Sequence, residues 1–453
     1  MAKVPLDESA ESAAGQVEAS PRPATAAGDE LSDWDTGDYG REPWWEHRLL
    51  HPARTWEESG RRWLPGARYP VAVWAVWRVA HAALVLFLAD PSHRWSSLVN
   101  SAFFYDGERY DTIMRHGYEL PNLSMPNTAF FPGVSWLAWP IYQLTRSATL
   151  TGHLVASGTG IAAFVTVWGV ARAWKGDEIG RRAVWLLALM PSSLFLWAFY
   201  SEGLFIALGA GAVWADRRNR HWLAAGLIMA LSTTRSVAIL VPLVIILARM
   251  IRHRRPDRWS FVYGGAAVIG ILPVLYMMKH YTGDYFAFMK VQADWGRALS
   301  APWTTIGNGF ENLWPEPETI MVPALVSRNL DLWCLPIVFI GIGYAAFGRG
   351  GTLRRRPLVA APAGATTKGP REGLPMESWM IGLALIALPL CSTSLASFNR
   401  FVLADWVIYP SYALLASRLP TWWRRAFWTV VIVALVVTTY HMVGRFSVDR
   451  FVG

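Results

Sequence analysis

Between positions 70 and 89 the chain runs through roughly 20 residues in which Arg78 and His81 are the sole ionisable side chains, enough to cross about 30 Å of hydrocarbon as a helix. A chain that buries such a segment in lipid is confined to helices or a closed barrel, because no water is at hand to satisfy open backbone groups. The segment is not isolated. Apolar runs recur at 183–200, 203–215, 222–231, 237–248 and 261–278, and again near 377–395, 401–417 and 426–443. With 53% hydrophobic and 17% charged residues over 453 positions, the sequence reads as an all-α polytopic membrane protein of roughly 10–12 transmembrane helices. A charge at the depth of Arg78 costs at least about 2.5–3.5 kcal/mol on insertion scales. Arg78 is therefore expected to face protein or a wet cavity, as a structural partner of a neighbouring helix or in a substrate role.

The net charge of +9 (42 basic, 33 acidic residues) does not point to nucleic acid, since the basic residues fall in short clusters between apolar runs. Clusters at 172–182, 217–220, 249–258, 349–356 and 418–425 read as cytoplasmic orienting charges. Tryptophans flank the same runs, among them Trp174, Trp222, Trp259, Trp422 and Trp423, as amphipathic indoles at headgroup depth do. Helical hairpins then place Ser201-Glu202, Thr233-Thr234-Arg235, the segment 279–320 and Ser397 to Arg400 on the opposite, outer side. The loop after the first helix joins them. Residues 129–172 are interrupted by Pro132, Pro140, Arg146 and a glycine-bearing stretch, and form either two crossings or one crossing with a re-entrant piece. The chain divides into a disordered, cytoplasmic tail over 1–65, a membrane module over 66–348, a cytoplasmic linker rich in Gly, Pro, Ala and Arg over 349–376, and C-terminal helices over 377–453. No cleavable signal peptide is legible in the acidic, Ala- and Ser-rich start. Cys334 and Cys391 lie in apolar segments and support neither a disulfide framework nor a metal site.

Phosphate-loop, dinucleotide and metal-ligand motifs are absent. The pair Gly209 and Gly211 reads as close helix packing. What remains is the polar loop Phe103-Phe104-Tyr105-Asp106-Gly107-Glu108-Arg109-Tyr110-Asp111, continuing to His116-Gly117-Tyr118 and Phe130-Phe131-Pro132-Gly133. Asp106, set among aromatics, is expected to suit a general base. It equally suits an N-cap, with Glu108 and Asp111 then in the first turns of the following helix. The two readings are compatible, because capping fixes a side chain.

The pattern aromatic-Asp106-Gly107-x-x-Tyr110-x-x-Ile113, then Gly117-Tyr118 and Phe130-Phe131-Pro132, resembles the first luminal loop of the PIG-V type mannosyltransferases, which add the second mannose in GPI-anchor assembly, and of their bacterial relatives. The resemblance continues through Tyr200-Ser201-Glu202-Gly203, Ser232-Thr233-Thr234-Arg235, Thr282-Gly283-Asp284, Trp295-Gly296-Arg297 and Phe398-Asn399-Arg400, covering about residues 70–440. This chain departs from it at Gly133-Val134-Ser135, where Leu-Tyr-Pro is usual, and at Phe401, where Tyr is common. Both departures bear on acceptor choice more than on reaction type. The resemblance implies a GT-C glycosyltransferase with its catalytic outer loop after the first helix. Its donor would be a polyprenyl-phosphate sugar, usually mannose, its acceptor a glycolipid or other envelope molecule, and its active site would face away from the cytoplasm. A lipid phosphate leaves as a stable anion and needs cations more than a general acid. On that basis Asp106 is expected to take the acceptor proton, with inversion. Arg235 and Arg400 grip the phosphate. Glu202 binds sugar hydroxyls or orients an arginine. Tyr110, Asp111, Arg78, His116 and Asp284 are supporting candidates, and no metal or cofactor is called for. The polar group Lys279, His280 and Asp284 also reads as interfacial snorkelling and a turn. The rival readings are a transporter or flippase for a lipid-linked saccharide, and a GT-C enzyme using another sugar.

Overall fold

A computed structural model describes the backbone over residues 52–118, 127–294, 297–311, 330–348 and 374–447, with side chains from residue 66. The N-terminal 51 residues, most of the 349–376 linker, and Trp295 with Gly296 lie outside the described residues. The described residues are helical, apart from turns and a single bridge between Leu299 and Ser392. In chain order the helices are α1 (Pro52–Leu88), α2 (Arg94–Asn100), α3 (Asp106–His116), α4 (Gly133–Thr145), α5 (Ala148–Lys175), α6 (Asp177–Leu189), α7 (Glu202–Arg217), α8 (His221–Leu231) and α9 (Leu240–His253). Then follow α10 (Arg258–Thr282), α11 (Ala287–Asp294), α12 (Pro302–Glu311), α13 (Leu330–Phe347), α14 (Met376–Leu390), α15 (Phe398–Ala404), α16 (Ile408–Ser417) and α17 (Thr421–Ser447).

Six of these are long and apolar enough to cross a membrane: Gly66–Leu88 within α1, α5, Ser236–His253, α10, α13 and Thr421–Gly444 within α17. The all-α polytopic architecture expected from the sequence is the one observed. The shorter helices α6, α8 and α14 have 13, 11 and 15 residues, or about 16–23 Å at 1.5 Å per residue. The first helix reaches back to Pro52, into the segment read as tail. Residues 129–172 contain one long span, α5, preceded by the 13-residue α4. Ser147 starts α5 by accepting a hydrogen bond from the Leu150 amide, and Gly176, at φ 86°, ends it.

The core forms where α5 lies against α6 and α7 and where α16 packs on α6. Trp168, Phe164, Phe205, Ile206 and Trp406 are fully buried there. Small residues allow this closeness. A Cβ on Gly209 would stand 2.5 Å from the Trp406 ring, and one on Gly203 would stand 3.0 Å from the Thr159 hydroxyl. Gly209 is thus a packing position, whereas a Cβ on Gly211 would meet only ordinary contacts, 3.4 Å from Leu227 and 3.7 Å from Thr166.

Between α6 and α7 the chain is not α-helical. A 3-10 turn, Pro191–Leu196, and the stretch to Ser201 are buried, so each backbone group there needs a partner inside the protein. Arg78 supplies one. Its guanidinium donates to the Trp197 carbonyl at 3.0 Å, lies 3.3 Å from His153 Nδ1 and stacks 3.8 Å from the Trp197 ring centroid. The Phe199 amide donates to the Ala102 carbonyl at 2.8 Å, and Trp77 Nε1 donates to the Ser193 hydroxyl, which itself donates to the Ala188 carbonyl.

At the opposite end of α7 the basic clusters gather round carboxylates. Arg249 donates to Asp216 at 2.5 Å and pairs with Asp257, while Arg217 pairs with Glu377. Asp257 also caps α10 through the Ser260 amide at 3.0 Å. Burial pushes its carboxyl pKa up, but hydrogen bonds from Arg249 and Ser260 outweigh that and hold it low.

Gly209→Val is expected to overpack the Trp406 contact and cost about 1–3 kcal/mol. Gly226→Ala, where a Cβ meets nothing within 4 Å, serves as the neutral control. Thermal unfolding of both variants in detergent checks this: the first midpoint should fall and the second should not.

Candidate functional site

Four segments far apart in sequence end at one place. Asp106 is the first residue of α3, Glu202 the first of α7, Arg235 directly precedes the 3-10 turn Ser236–Ile239, and Arg400 lies in the seven-residue α15. Acidic residues at the first positions of α3 and α7 suit the partial positive charge of helix N-termini.

Arg400 ties them together. Its Nε and Nη2 each lie 2.6 Å from Glu202 Oε1, and its Nη1 forms an ion pair with Asp106 Oδ2. Arg235 Nη1 donates to the same Glu202 oxygen at 3.1 Å. Glu202 is wholly buried, and its Oε2 has no hydrogen-bond partner among the described residues. The guanidinium of Arg400 lies 4.9 Å from the Tyr200 ring centroid and 5.1 Å from that of Phe195. Arg235 lies 5.0 Å from the Phe401 ring. The cations are therefore gripped through both charge and aromatic faces.

The setting of Asp106 has a local cause. Tyr105 adopts φ 54°, ψ −112°, an uncommon backbone region for a bulky residue that costs on the order of 1–3 kcal/mol. Tyr200 holds the turn on both sides: its hydroxyl donates to the Phe104 carbonyl at 2.9 Å and accepts from the Asp106 amide at 3.3 Å. Gly107 follows because a Cβ there would stand 2.6 Å from the Ala102 carbonyl oxygen. Asp106 is not the cap that its position permitted. Tyr105 occupies the capping position and makes no side-chain capping bond, and the Asp106 carboxylate goes to Arg400.

The departure at Gly133-Val134-Ser135 also has a structural reason. The Gly133 amide donates to the Thr233 carbonyl at 2.9 Å, and a Cβ would lie 2.5 Å from the Thr233 hydroxyl. Ser135 donates to the Tyr110 carbonyl at 2.7 Å. The turn before Arg235 thus seats directly on the end of the aromatic loop.

Of the supporting candidates, Tyr110 joins this cluster. It is buried and its hydroxyl donates to Ser201, next to Glu202, at 2.9 Å. Burial raises its phenol pKa, and the charges of Glu202 and Asp106 add to that. The other four do not join it. Asp111 pairs with Arg115 one turn on, and burial raises its carboxyl pKa against the pull of Arg115. His116 is exposed at the end of α3, and Asp284 pairs with Lys290 at 2.6 Å in a turn. Arg78 braces the broken stretch at Trp197.

Two further residues belong to the cluster. Arg297 donates through Nη2 to the Ala396 carbonyl at 2.8 Å. Burial lowers its pKa, the charges of Arg400 and Arg235 push the same way, and Asp106 and Asp331 oppose them. Asp331 accepts from the Ser397 and Asn399 amides. The Trp-Gly-Arg element pointed to Arg297, whereas Asp331 is a single acid at the start of an apolar span and carries no local signal. Among the described residues, no three His, Cys, Asp or Glu side chains are grouped to hold a metal ion.

No protein-family model matches the chain, and no curated protein does. Solved structures do. It is similar to ArnT from Cupriavidus metallidurans bound to undecaprenyl phosphate, at 15% identity and TM-score 0.46, over 83% of this chain and 78% of that one. It is also similar to the Archaeoglobus fulgidus oligosaccharyltransferase in the apo form, at 13% identity and TM-score 0.47, over 84% of this chain and 56% of that one. A third is the archaeal oligosaccharyltransferase AglB from Archaeoglobus fulgidus in complex with an inhibitory peptide and a dolichol-phosphate, at 14% identity and TM-score 0.37, again over 84% and 56%. The chain spans little more than half the length of the two oligosaccharyltransferases.

Replacing Glu202 by Ala leaves Arg235 and Arg400 without their shared buried counter-charge, and is expected to cost about 3–5 kcal/mol. Glu202→Gln, which keeps a carbonyl acceptor, should cost less. Comparing thermal midpoints of the two variants with the parent chain checks the order.

Proposed function

We propose that this chain is a membrane glycosyltransferase of the GT-C class. It transfers a sugar, mannose by the family resemblance, from a polyprenyl-phosphate donor to a hydroxyl of a lipid-linked or cell-envelope acceptor on the extracytoplasmic side. The observation that carries the reading is the single Arg400 guanidinium shared by Asp106 and Glu202, with Arg235 on the same carboxylate oxygen.

The chemistry follows from what those groups can do. The acceptor oxygen attacks the anomeric carbon as the bond from that carbon to the phosphate oxygen breaks, on the opposite face, so configuration inverts. The hydroxyl proton passes to Asp106, a carboxylate poised at a helix start by the Tyr200 clamp. The leaving polyprenyl phosphate takes the electron pair and needs no proton. Arg400 and Arg235 stabilise its charge, because guanidinium forks match phosphate oxygens and the site replaces water with fixed cations. Glu202 divides its work: Oε1 orients both arginines, and the unpartnered Oε2 is left to accept from a sugar hydroxyl. Tyr110 supports the start of α7 beside Glu202 through its bond to Ser201.

Asp106→Asn keeps the shape and removes the base, so transfer of radiolabelled mannose from polyprenyl-phosphate mannose to an envelope lipid extract should fall about 100- to 10,000-fold. Donor binding should persist. Transfer near the parental rate would remove Asp106 from the mechanism, and lipid movement without transfer would assign the chain to transport.

Arg235→Gln and Arg400→Gln are each expected to weaken donor binding about tenfold or more, as loss of a charge-assisted bond does. Unchanged affinity and rate in both would take the phosphate away from these arginines.

A further inference from the structure

Arg400 does its work from a helix of seven residues, α15, which is too short to hold its own geometry. The start of that helix lacks a cap of its own. Ser397, at the capping position, makes no side-chain cap bond and has a left-handed backbone, φ 64°. A helix start leaves backbone amides without partners, and here an acid from another element meets them. Asp331, in the first turn of α13, accepts from the Ser397 amide through Oδ2 at 3.1 Å. Its Oδ1 accepts from the Asn399 amide at 2.6 Å and from Asn399 Nδ2 at 2.8 Å. From the other side Arg297 donates to the Ala396 carbonyl at 2.8 Å. The turn over 396–399 is therefore held by an acid at its amides and a base at its carbonyl, one residue before Arg400. Buried Asn399 has no freedom to drift, since its side chain and backbone close on the same carboxylate oxygen.

We infer that Asp331 is a positioning residue for Arg400: by capping α15 from α13 it sets the guanidinium where it meets Asp106 and Glu202, with Asn399 and Arg297 completing the frame. This rests on the reading of Arg400 as a phosphate ligand. The geometry explains a one-sided arrangement. Phe398 and Val402 of α15 are buried in the apolar core and fix its depth. The capping bonds fix the backbone at Ser397 and Asn399, the turn from which the Arg400 side chain leaves the helix.

The test is a double-mutant cycle on the full chain in detergent, with citronellyl phosphate as the probe and calorimetric affinity as the readout. Asp331→Ala should weaken binding about tenfold in the parent chain, but less than about twofold in the Arg400→Gln background, because a residue acting through Arg400 has nothing left to position. Equal losses in the two backgrounds would make Asp331 a general structural cap and overturn the inference. Should Asp331→Ala fail to fold, Asn399→Ala removes a single side-chain bond and enters the same cycle with the same expected coupling; additivity there overturns the inference equally. A parent chain that does not bind the probe would bring down the phosphate reading itself and the inference with it. Binding by the parent with uncoupled variants brings down the inference alone.

Discussion

One guanidinium holds the ends of three helices together. Arg400 is buried beside two carboxylates that come from the starts of α3 and α7, and Arg235 shares one of them. Taking these charges out of water is expensive, and it is tolerated because each cation meets an anion and an aromatic face at once. The arrangement also explains why all four segments are short or broken just there. A helix start presents amides and a partial positive charge, and a non-helical turn frees a side chain to reach across. Continuous helices would have carried the same residues to the lipid face.

The cost of those breaks is met elsewhere in the fold. Between α6 and α7 the chain unwinds for about a dozen residues inside the protein. The Trp197 carbonyl is met by Arg78 and the Phe199 amide by the Ala102 carbonyl, while Trp77 bonds the Ser193 hydroxyl. Arg78 is thus a mid-membrane charge whose partner is an opened backbone. The same stretch ends in Tyr200, which holds the strained turn before Asp106, so the brace and the site are mechanically one unit. At the far ends of α7, α9 and α10 a second ionic network around Asp216 and Asp257 ties the helices together.

Much of the candidate site was legible because its residues stand at the ends of apolar runs. Asp106, Glu202, Arg235 and Arg400 each interrupt or flank such a run, and the alternation of basic clusters assigns them to one side. Asp111, His116 and Asp284 had the same outward signature and lie apart from the cluster, since polarity at a run's end does not tell which way a side chain turns. Asp111 faces Arg115 along its own helix, and Asp284 closes a turn with Lys290. Tyr200 and Arg297 sat inside recognisable elements without a role, and Asp331 was invisible.

The sequence by itself determined that the chain is a helical membrane protein with its acids and arginines at one set of loop ends, because hydrocarbon thickness and backbone satisfaction leave little choice to runs of this length and composition. Tertiary structure alone decided which acid meets which arginine. Asp106 and Arg400 are separated by 294 positions, and their contact depends on a capping acid in α13 and a strained turn at Tyr105. Side-chain direction at such junctions is set by hydrogen bonds to distant segments, which leave no periodicity in the chain to read.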